Sequence, residues 1–539
     1  MNVKANHLPR PCAILAAVLI ASSSGLLGLL GLPAAVRAAP SLPSTNVAWI
    51  PAAVDADVDA AFARAKAEKK PVLLYWGATW CPPCNQLKAT LFNRQDFATQ
   101  AKSMVAVHVD GDRPGAQKLG ARFKVRGYPT VILMTADGAE IARLPGEADA
   151  PQVMALLQSG LAAGRPLKAV LADARSGKAL SPNEWRTLAF HSWDLDEGQL
   201  VPTAERAQVV ADLARRSAAL GVDPETNTRL WLKALALSDE TQGLKTDTAL
   251  RDRVVAVIAD PVQARSHMDV LTNFTGALVK VLAPEEGPPR AALSAQLDAA
   301  LARLQGDATL SRSDRVGALT ARLELARLGQ GKDVVHPKVS DNLLRDVREM
   351  SSRMDREITD GYERQAVITS VGYMLGQAGL WAESDTLLKA NLSKSHSPYY
   401  LMSQLGSNAR KQGKKQEALS WYQQAFDKSE GPATRLQWGA GYLGALVDLA
   451  PQNAAQIEKT AAQLFGEAAK DKGAFYERSA RSLLRVSQKL AEWNKEGTHA
   501  ATLNRLRQQL QPVCAAVDTA DGQRSTCERL LKGGSAPPA

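Results

Sequence analysis

At 539 residues the chain is too long to be organised around one hydrophobic core, so about two to four domains are expected. Its 45% apolar and 22% charged residues are those of a soluble globular protein and exclude wholesale disorder. The formal charge of +10 falls to +7 once Lys4, Arg10 and Arg37 leave with a cleaved leader, and it is spread without a basic block, which argues against nucleic-acid binding.

The first 38 residues have the pattern of an export signal. Lys4 and Arg10 form a positive start, Ala13 to Leu32 is apolar and uncharged, and Val36-Arg37-Ala38 offers a cleavage site, so a mature chain is expected to begin at Ala39. The apolar run is nearly long enough to span a bilayer, which leaves a retained membrane anchor as the alternative. Ser22 to Ser24 and the glycines dilute that run and favour cleavage. No second apolar segment of this length follows. Cys12 departs with the leader, and Cys81, Cys84, Cys514 and Cys527 remain. An even number of cysteines in an exported chain suits an oxidising compartment such as the periplasm.

Residues 39–44 read as a linker. Val54 to Lys69 has helical periodicity, with Val54, Ala61, Phe62 and Ala65 expected on the buried face and Val58 left out of it. Pro71 to Gly77 is a short apolar run, the pattern of a strand buried on both faces. A helix opens at Cys81 to Cys84 and runs to about Asn93. It is followed by a strand at Met104 to Val109, a helix at Gly115 to Phe123, and strands at Thr130 to Met134 and Glu140 to Leu144. Asp137-Gly138 between the last two is a hairpin signal. A helix at Ala150 to Leu161 closes a unit of α/β class over residues 45–163, with Gly164-Arg165-Pro166 as its boundary.

Residues 167–532 carry almost no alternating pattern and read as an all-α region. Within about 366–432 the segment Gly379 to Ser384 repeats as Gly413 to Ala418, an offset of 34 residues that Pro398 and Pro432 keep. That period, with two helices per unit, is tetratricopeptide-like. Residues 533–539 are expected to be a disordered tail.

The chemistry concentrates in Trp80-Cys81-Pro82-Pro83-Cys84. The motif follows a strand and begins a helix, where unpaired N–H groups favour thiolate over thiol and lower the first cysteine's pKa below its free value of about 8.5. Prolines are tolerated in a first helical turn. Two intervening residues let the second thiol resolve a mixed disulfide formed by the first. The other readings are a structural disulfide or half of a zinc site. Zinc would need further ligands, and the nearby His108 stands alone, so no metal or other cofactor is expected.

Residues 70–146 resemble the thioredoxin superfamily. The strand ending in Trp76-Gly-Ala-Thr-Trp80, the motif itself, and Val125-Arg-Gly-Tyr-Pro-Thr130, whose proline lies 45 residues after Cys84, occur in the family's order. The latter stretch is similar to protein disulfide isomerase domains. The lead-in Lys69-Lys-Pro-Val is similar to the periplasmic C-terminal domain of transmembrane thiol:disulfide interchange reductases. The resemblance implies a central mixed sheet with flanking helices, catalytic Cys81 and Cys84, a cis bond before Pro129, and a substrate groove lined by Trp80, Tyr128 and Pro129. It also exposes a departure. The family's buried acid, six residues before the first cysteine, is Tyr75 here, and its lysine partner falls at Ala106.

Cys514 and Cys527 fit a disulfide stapling two helices, or a second dithiol that exchanges with the first. Gly439-Ala-Gly-Tyr-Leu-Gly444 spells a dinucleotide fingerprint but lies in helical sequence without a preceding strand, so close helix packing explains it. Trp185, Trp193, Trp231, Trp381 and Trp421 are expected in the helical core. The expected function is exported thiol–disulfide exchange with protein thiols or disulfides, the helical groove recruiting a protein partner and a membrane being involved only if the leader is retained. The alternative is a binding or assembly scaffold whose redox domain is secondary.

Overall fold

The computed structural model describes residues 47–144, 149–196, 198–238, 244–331, 333–519 and 522–532, and the leader, the linker at 39–44 and the tail at 533–539 lie outside them. Five strands form one sheet in the order β1-β3-β2-β4-β5: β1 (Ile50–Ala52), β2 (Val72–Gly77), β3 (Val105–Asp110), β4 (Thr130–Met134) and β5 (Glu140–Leu144). The first three are parallel, β4 runs antiparallel to β2, and β5 closes the far edge as a hairpin with β4. Every residue of the central strand β2 is buried. This is the apolar run read from the sequence, and its position between β3 and β4 requires it.

Helices α1 (Asp55–Glu68) and α4 (Ala116–Arg122) belong to this part of the chain, as do α2 (Pro82–Leu87), α3 (Gln95–Ala101) and α5 (Ala150–Ala163). One sheet face, with Val72, Leu74, Trp76, Val107 and Ile132, packs against Val58, Ala61 and Phe62 of α1 and Leu119 of α4. On α1 the sequence reading is corrected: Val58 is fully buried, whereas Val54 is 44% exposed. Val54 precedes the first turn, where the side chain of Asp57 accepts the amides of Ala53 and Val54. Two elements were not anticipated. Strand β1 is three residues long with a proline in the middle, which only a sheet edge tolerates. The helix opened by the motif passes through a π-helical turn at Lys88–Phe92 and stops, and α3 is a separate helix.

The arrangement is a thioredoxin fold. It does not own its core. The other sheet face, with Leu73, Tyr75, Leu133 and Ala142, belongs to one apolar cluster that continues past Gly164 into Trp185, Trp193, Val210 and Leu230. Gly164, at φ 63°, ends α5 in the left-handed conformation that glycine adopts without strain.

Among the described residues, all-α structure then runs from α6 (Leu167–Ser176) to α25 (Gln523–Leu531). Helices α17 (Gly361–Gln377) and α18 (Trp381–Asn391), then α19 (Pro398–Lys411) and α20 (Lys415–Lys428), form successive hairpins. The helical chain leaves the sheet at β5 and returns to it: α17 packs on α2, and α23 (Glu477–Trp493) packs on α4. The five singled-out tryptophans divide. Trp185 and Trp193 are buried, while Trp231, Trp381 and Trp421 are half-buried and so do not belong to the inner core. Within α21 (Pro432–Leu449) a methyl group on Gly439 would meet Leu464 and Phe426, so this glycine permits close helix packing, whereas Gly441 and Gly444 face open space. No described helix is long and apolar enough to cross a membrane.

Candidate functional site

Cys81 is the N-cap of α2, with extended backbone, and its sulfur accepts the Cys84 amide at 3.2 Å. This is the donor geometry that stabilises a thiolate at a helix start, because the N–H groups there have no partner within the helix. Pro82 and Pro83 occupy the first turn, where a missing N–H costs least. Cys81 and Cys84 are joined as a disulfide and are only 2% and 0% exposed. Trp80 and Tyr128 pack against them, and the peptide bond between Tyr128 and Pro129 is cis. The fold therefore brings Trp80, Cys81, Cys84, Tyr128 and Pro129 together.

Most of what surrounds these residues comes from distant helices. Trp80 donates its indole N–H to Asp112 Oδ2 and Thr434 Oγ1, both at 2.9 Å. Thr434 also donates to Asp112, and Arg478 forms an ion pair with the same carboxylate. The Arg478 guanidinium lies 5.2 Å from the ring centres of both Trp80 and Tyr128, within cation–π range. The Trp80 ring stacks on Tyr400 and meets Trp438 edge-on. Gln365 of α17 donates to the Trp80 carbonyl at 3.3 Å. Gln117 joins the Tyr128 hydroxyl to the Arg478 amide through its two ends, both at 3.0 Å. Burial pushes the Tyr128 phenol up, so it stays neutral and serves as a hydrogen-bonding group.

Where thioredoxins keep a buried acid, Tyr75 stacks on His108 at 4.9 Å, and its hydroxyl is buried without a hydrogen-bond partner. Burial pulls His108 down to about 4, so it is a neutral ring. Two further ionisable groups at this end of the sheet are Lys88, one turn after Cys84 on the same helical run, and Asp110, opposite Gly77 in the β2–β3 ladder. Burial lowers the pKa of Lys88. At Asp110 burial and the charge of Asp112 raise it. Sequence reasoning did not find Asp112, Thr434, Gln365 or Arg478. The Trp80–Thr434 contact spans 354 residues, and nothing in the local pattern of either segment signals it.

A cleft of about 910 Å³ opens on one side of this constellation, bounded by Pro82, Pro83, Tyr128 and Pro129 and by residues of the helical region. At the far end of the chain, Cys514 and Cys527 are joined as a second disulfide between α24 (Ala500–Ala516) and α25, inside an apolar cluster.

A thioredoxin fold with a Cys-Pro-Pro-Cys pair at a helix start defines a thiol–disulfide exchange domain. Comparison with known proteins agrees: residues 58–161 match the family model of a thioredoxin-like domain. The chain is 32% identical over 130 residues to thiol:disulfide interchange protein DsbD 2 of Pseudomonas aeruginosa, covering 23% of this chain and 22% of that protein. It is 31% identical over 99 residues to DsbD of Yersinia pestis, covering 18% and 17%. It thus spans about a fifth of the length of these relatives. The solution structure of a thioredoxin from Thermus thermophilus aligns at 26% identity over 22% of this chain and 94% of that one, with a TM-score of 0.20.

Proposed function

We propose that the protein is an exported thiol–disulfide oxidoreductase acting on protein substrates. Cys81 is the nucleophile, Cys84 the resolving thiol, and Trp80, Tyr128 and Pro129 shape the substrate site. The observation that carries this reading is the Cys81 sulfur at the N-cap of α2, accepting the Cys84 amide.

In the reductive direction the Cys81 thiolate attacks a substrate sulfur. A Cys81–substrate disulfide forms, the substrate S–S bond breaks, and the departing thiolate takes a proton from water. Cys84, deprotonated in turn, attacks the Cys81 sulfur. The second substrate thiol leaves, and the two electrons of the dithiol have passed to the substrate as Cys81–Cys84 closes. The oxidative direction is the reverse, and the poise of the couple against the substrate decides between them.

Export is supported by the pattern of residues 1–38 and by the Cys514–Cys527 pair, which suits an oxidising compartment. The helical hairpins support a tetratricopeptide-like reading, since α18 and α20 begin 34 residues apart, at Trp381 and Lys415. Their role here is to frame access to the dithiol. Helices α17 and α21 supply Gln365 and Thr434 to Trp80, which ties the helical region to the redox site and weighs against an independent scaffold.

The test is a trap. A Cys84→Ser variant cannot resolve, so it should accumulate mixed disulfides through Cys81 with thiol-containing proteins of its compartment, and the wild-type reduced protein should reduce insulin. No trapped adduct, together with no attack on insulin or on a small disulfide, would refute the reading.

A further inference from the structure

The cleft beside the dithiol is much larger than a disulfide requires, and its walls have a definite chemistry. Its volume of about 910 Å³ lies near the top of the range for ligand sites, about 300–1,000 Å³. One end is lined by Pro82 and Pro83, the two residues between the cysteines, and by Tyr128 and Pro129. The remaining walls come from the helical region, chiefly α12 (Met268–Asn273), α15 (Arg312–Ala326), α17 and α19, with Trp438 of α21.

Two features of these walls point to an occupant. The first is unmet hydrogen bonding: the Trp438 indole N–H, the Gln404 side-chain carbonyl and the Thr272 hydroxyl are buried polar atoms with no hydrogen-bond partner among the described residues. Such atoms cost free energy unless something pairs with them. A donor, an acceptor and a hydroxyl together suit a ligand that presents both N–H and C=O groups at intervals, as an extended peptide backbone does. The second is charge. Among the described residues no lysine, arginine or histidine lines the cleft, although the chain carries +10 overall. Its charged lining residues are the carboxylates Asp314 and Glu324. Gln86 donates to Asp314 at 2.9 Å and the Gly276 amide donates to Glu324 at 3.1 Å. Neither carboxylate forms an ion pair among the described residues, and burial raises the pKa of both, only partly offset at Glu324 by the Gly276 amide and the charge of Lys280. Tyr373, 54% exposed, adds an aromatic surface.

We propose that this cleft is the substrate-binding site of the exchange reaction and that it takes an extended, cysteine-bearing peptide segment carrying basic residues, fed along α15, α17 and α19 to the Pro82–Pro83 and Tyr128–Pro129 end. The inference rests on the oxidoreductase reading and narrows its substrate class. Peptide N–H and C=O groups pair with Trp438, Gln404 and Thr272, and flanking lysine or arginine side chains meet Asp314 and Glu324. A folded protein with a rigid, inaccessible disulfide does not fit between the helices, so the selected substrates are unfolded chains or mobile loops.

The experiment uses the full-length reduced protein and three synthetic disulfide probes. Two are peptides of equal length, one flanked by lysine and arginine and one by aspartate and glutamate. The third is hydroxyethyl disulfide. The basic peptide should be reduced about tenfold faster than the acidic one at low ionic strength, the gap closing as salt screens the carboxylates. Asp314→Asn should reduce that preference to about threefold, with Glu324→Gln as a second variant should the first fold poorly. Equal rates for the two peptides, or a faster acidic peptide, overturn the inference, as does a compact folded protein disulfide reduced as fast as the basic peptide. Reduction of hydroxyethyl disulfide without a charge preference strikes this inference alone. Failure on all three probes strikes the oxidoreductase reading beneath it.

Discussion

Two regions of the molecule each bury a disulfide to the same degree, yet their surroundings favour opposite states of the sulfurs. Cys81 and Cys84 are 2% and 0% exposed, and Cys514 and Cys527 likewise are 2% and 0% exposed. Cys81 caps the start of a helix, where N–H groups stabilise a thiolate, and a cleft adjoins the motif. Cys514 lies in the last turn of α24, where carbonyl groups disfavour negative charge, and Cys527 sits among Leu506, Leu510 and Leu530. Burial therefore does not separate the pair proposed to be reactive from the pair proposed to be structural. Helix polarity and the chemistry of the walls do.

The largest effect that tests this contrast is on activity. Cys81→Ser should lower exchange with a peptide disulfide by at least about a thousandfold, since no other group supplies the nucleophile. Cys514→Ser should leave the rate within about twofold and instead cost about 3 kcal/mol of stability, the loop-closure estimate for a link of this span, 13 residues. Peptide kinetics and a denaturant titration read both. A large rate loss in Cys514→Ser would mean that the second pair exchanges with the first and that the contrast is wrong.

The redox domain and the helical region also contain acids held in opposite ways. In the helical region Asp269 is fully buried, and burial alone would raise its pKa. The charge of Arg229 and two hydrogen bonds from it, at 3.0 and 2.5 Å, outweigh that and pull the acid down to about 2. The depressed folded value means that the pair stabilises the protein above the ordinary carboxylate pKa, with the contribution lost as pH falls from about 4 toward about 2. Asp269→Asn leaves Arg229 buried without its counter-ion and should cost about 3–5 kcal/mol at pH 7. The gap between variant and wild type should narrow in acid. A constant gap down to pH 2 would remove the ion pair as its source.

The redox half of the site was legible in the sequence and its cover was not, for a physical reason. Trp80 to Cys84, Tyr128 and Pro129 announce themselves because strand, turn and helix start are local patterns. The central strand at 72–77 and the hairpin at 130–144 were equally readable, because burial on both faces and an Asp-Gly turn leave direct marks. The π-helical turn at Lys88–Phe92, the edge strand at Ile50 and the burial of Val58 depend on what packs against them. Asp112, Thr434 and Arg478 meet only after some 350 residues of helix return to the sheet. A polar residue on a helix surface looks the same in sequence whether it faces water or a tryptophan.

That returning cover provides the next test. Arg478 pairs with Asp112 and spans Trp80 and Tyr128, so it clamps the helical region against the residues flanking the dithiol. In the reduced protein, Arg478→Ala should loosen the clamp and raise the alkylation rate of Cys81 by about fivefold, while Arg478→Lys, which keeps the charge, should stay close to wild type. Alkylation kinetics at fixed pH distinguish the two. An unchanged rate in Arg478→Ala would mean that access to Cys81 is set elsewhere.

The smallest expected effect is at Asp110, and it has the opposite sign to Asp269. Burial, and then the charge of Asp112, raise its pKa, while the Asp112 amide and the charges of Lys88 and Arg113 only partly compensate. A folded value above the unfolded one means that the ionised acid costs stability at neutral pH and that the cost disappears as pH falls through the folded value. Asp110→Asn removes a charge the fold does not welcome, so it should stabilise the protein at pH 7 by about 1 kcal/mol or less. The gain should vanish below the ordinary carboxylate range. Denaturant midpoints at pH 7 and pH 4 measure this, and a variant less stable than wild type at both would mean that Asp110 makes a contact worth more than its desolvation. An acid kept at a cost at the end of β3, in the same part of the sheet as the acid-to-tyrosine exchange at Tyr75, marks the kind of place where perturbed groups gather when chemistry rather than stability selects them. In the helical region, by contrast, Asp269 has a dedicated arginine and the Cys514–Cys527 disulfide an apolar shell.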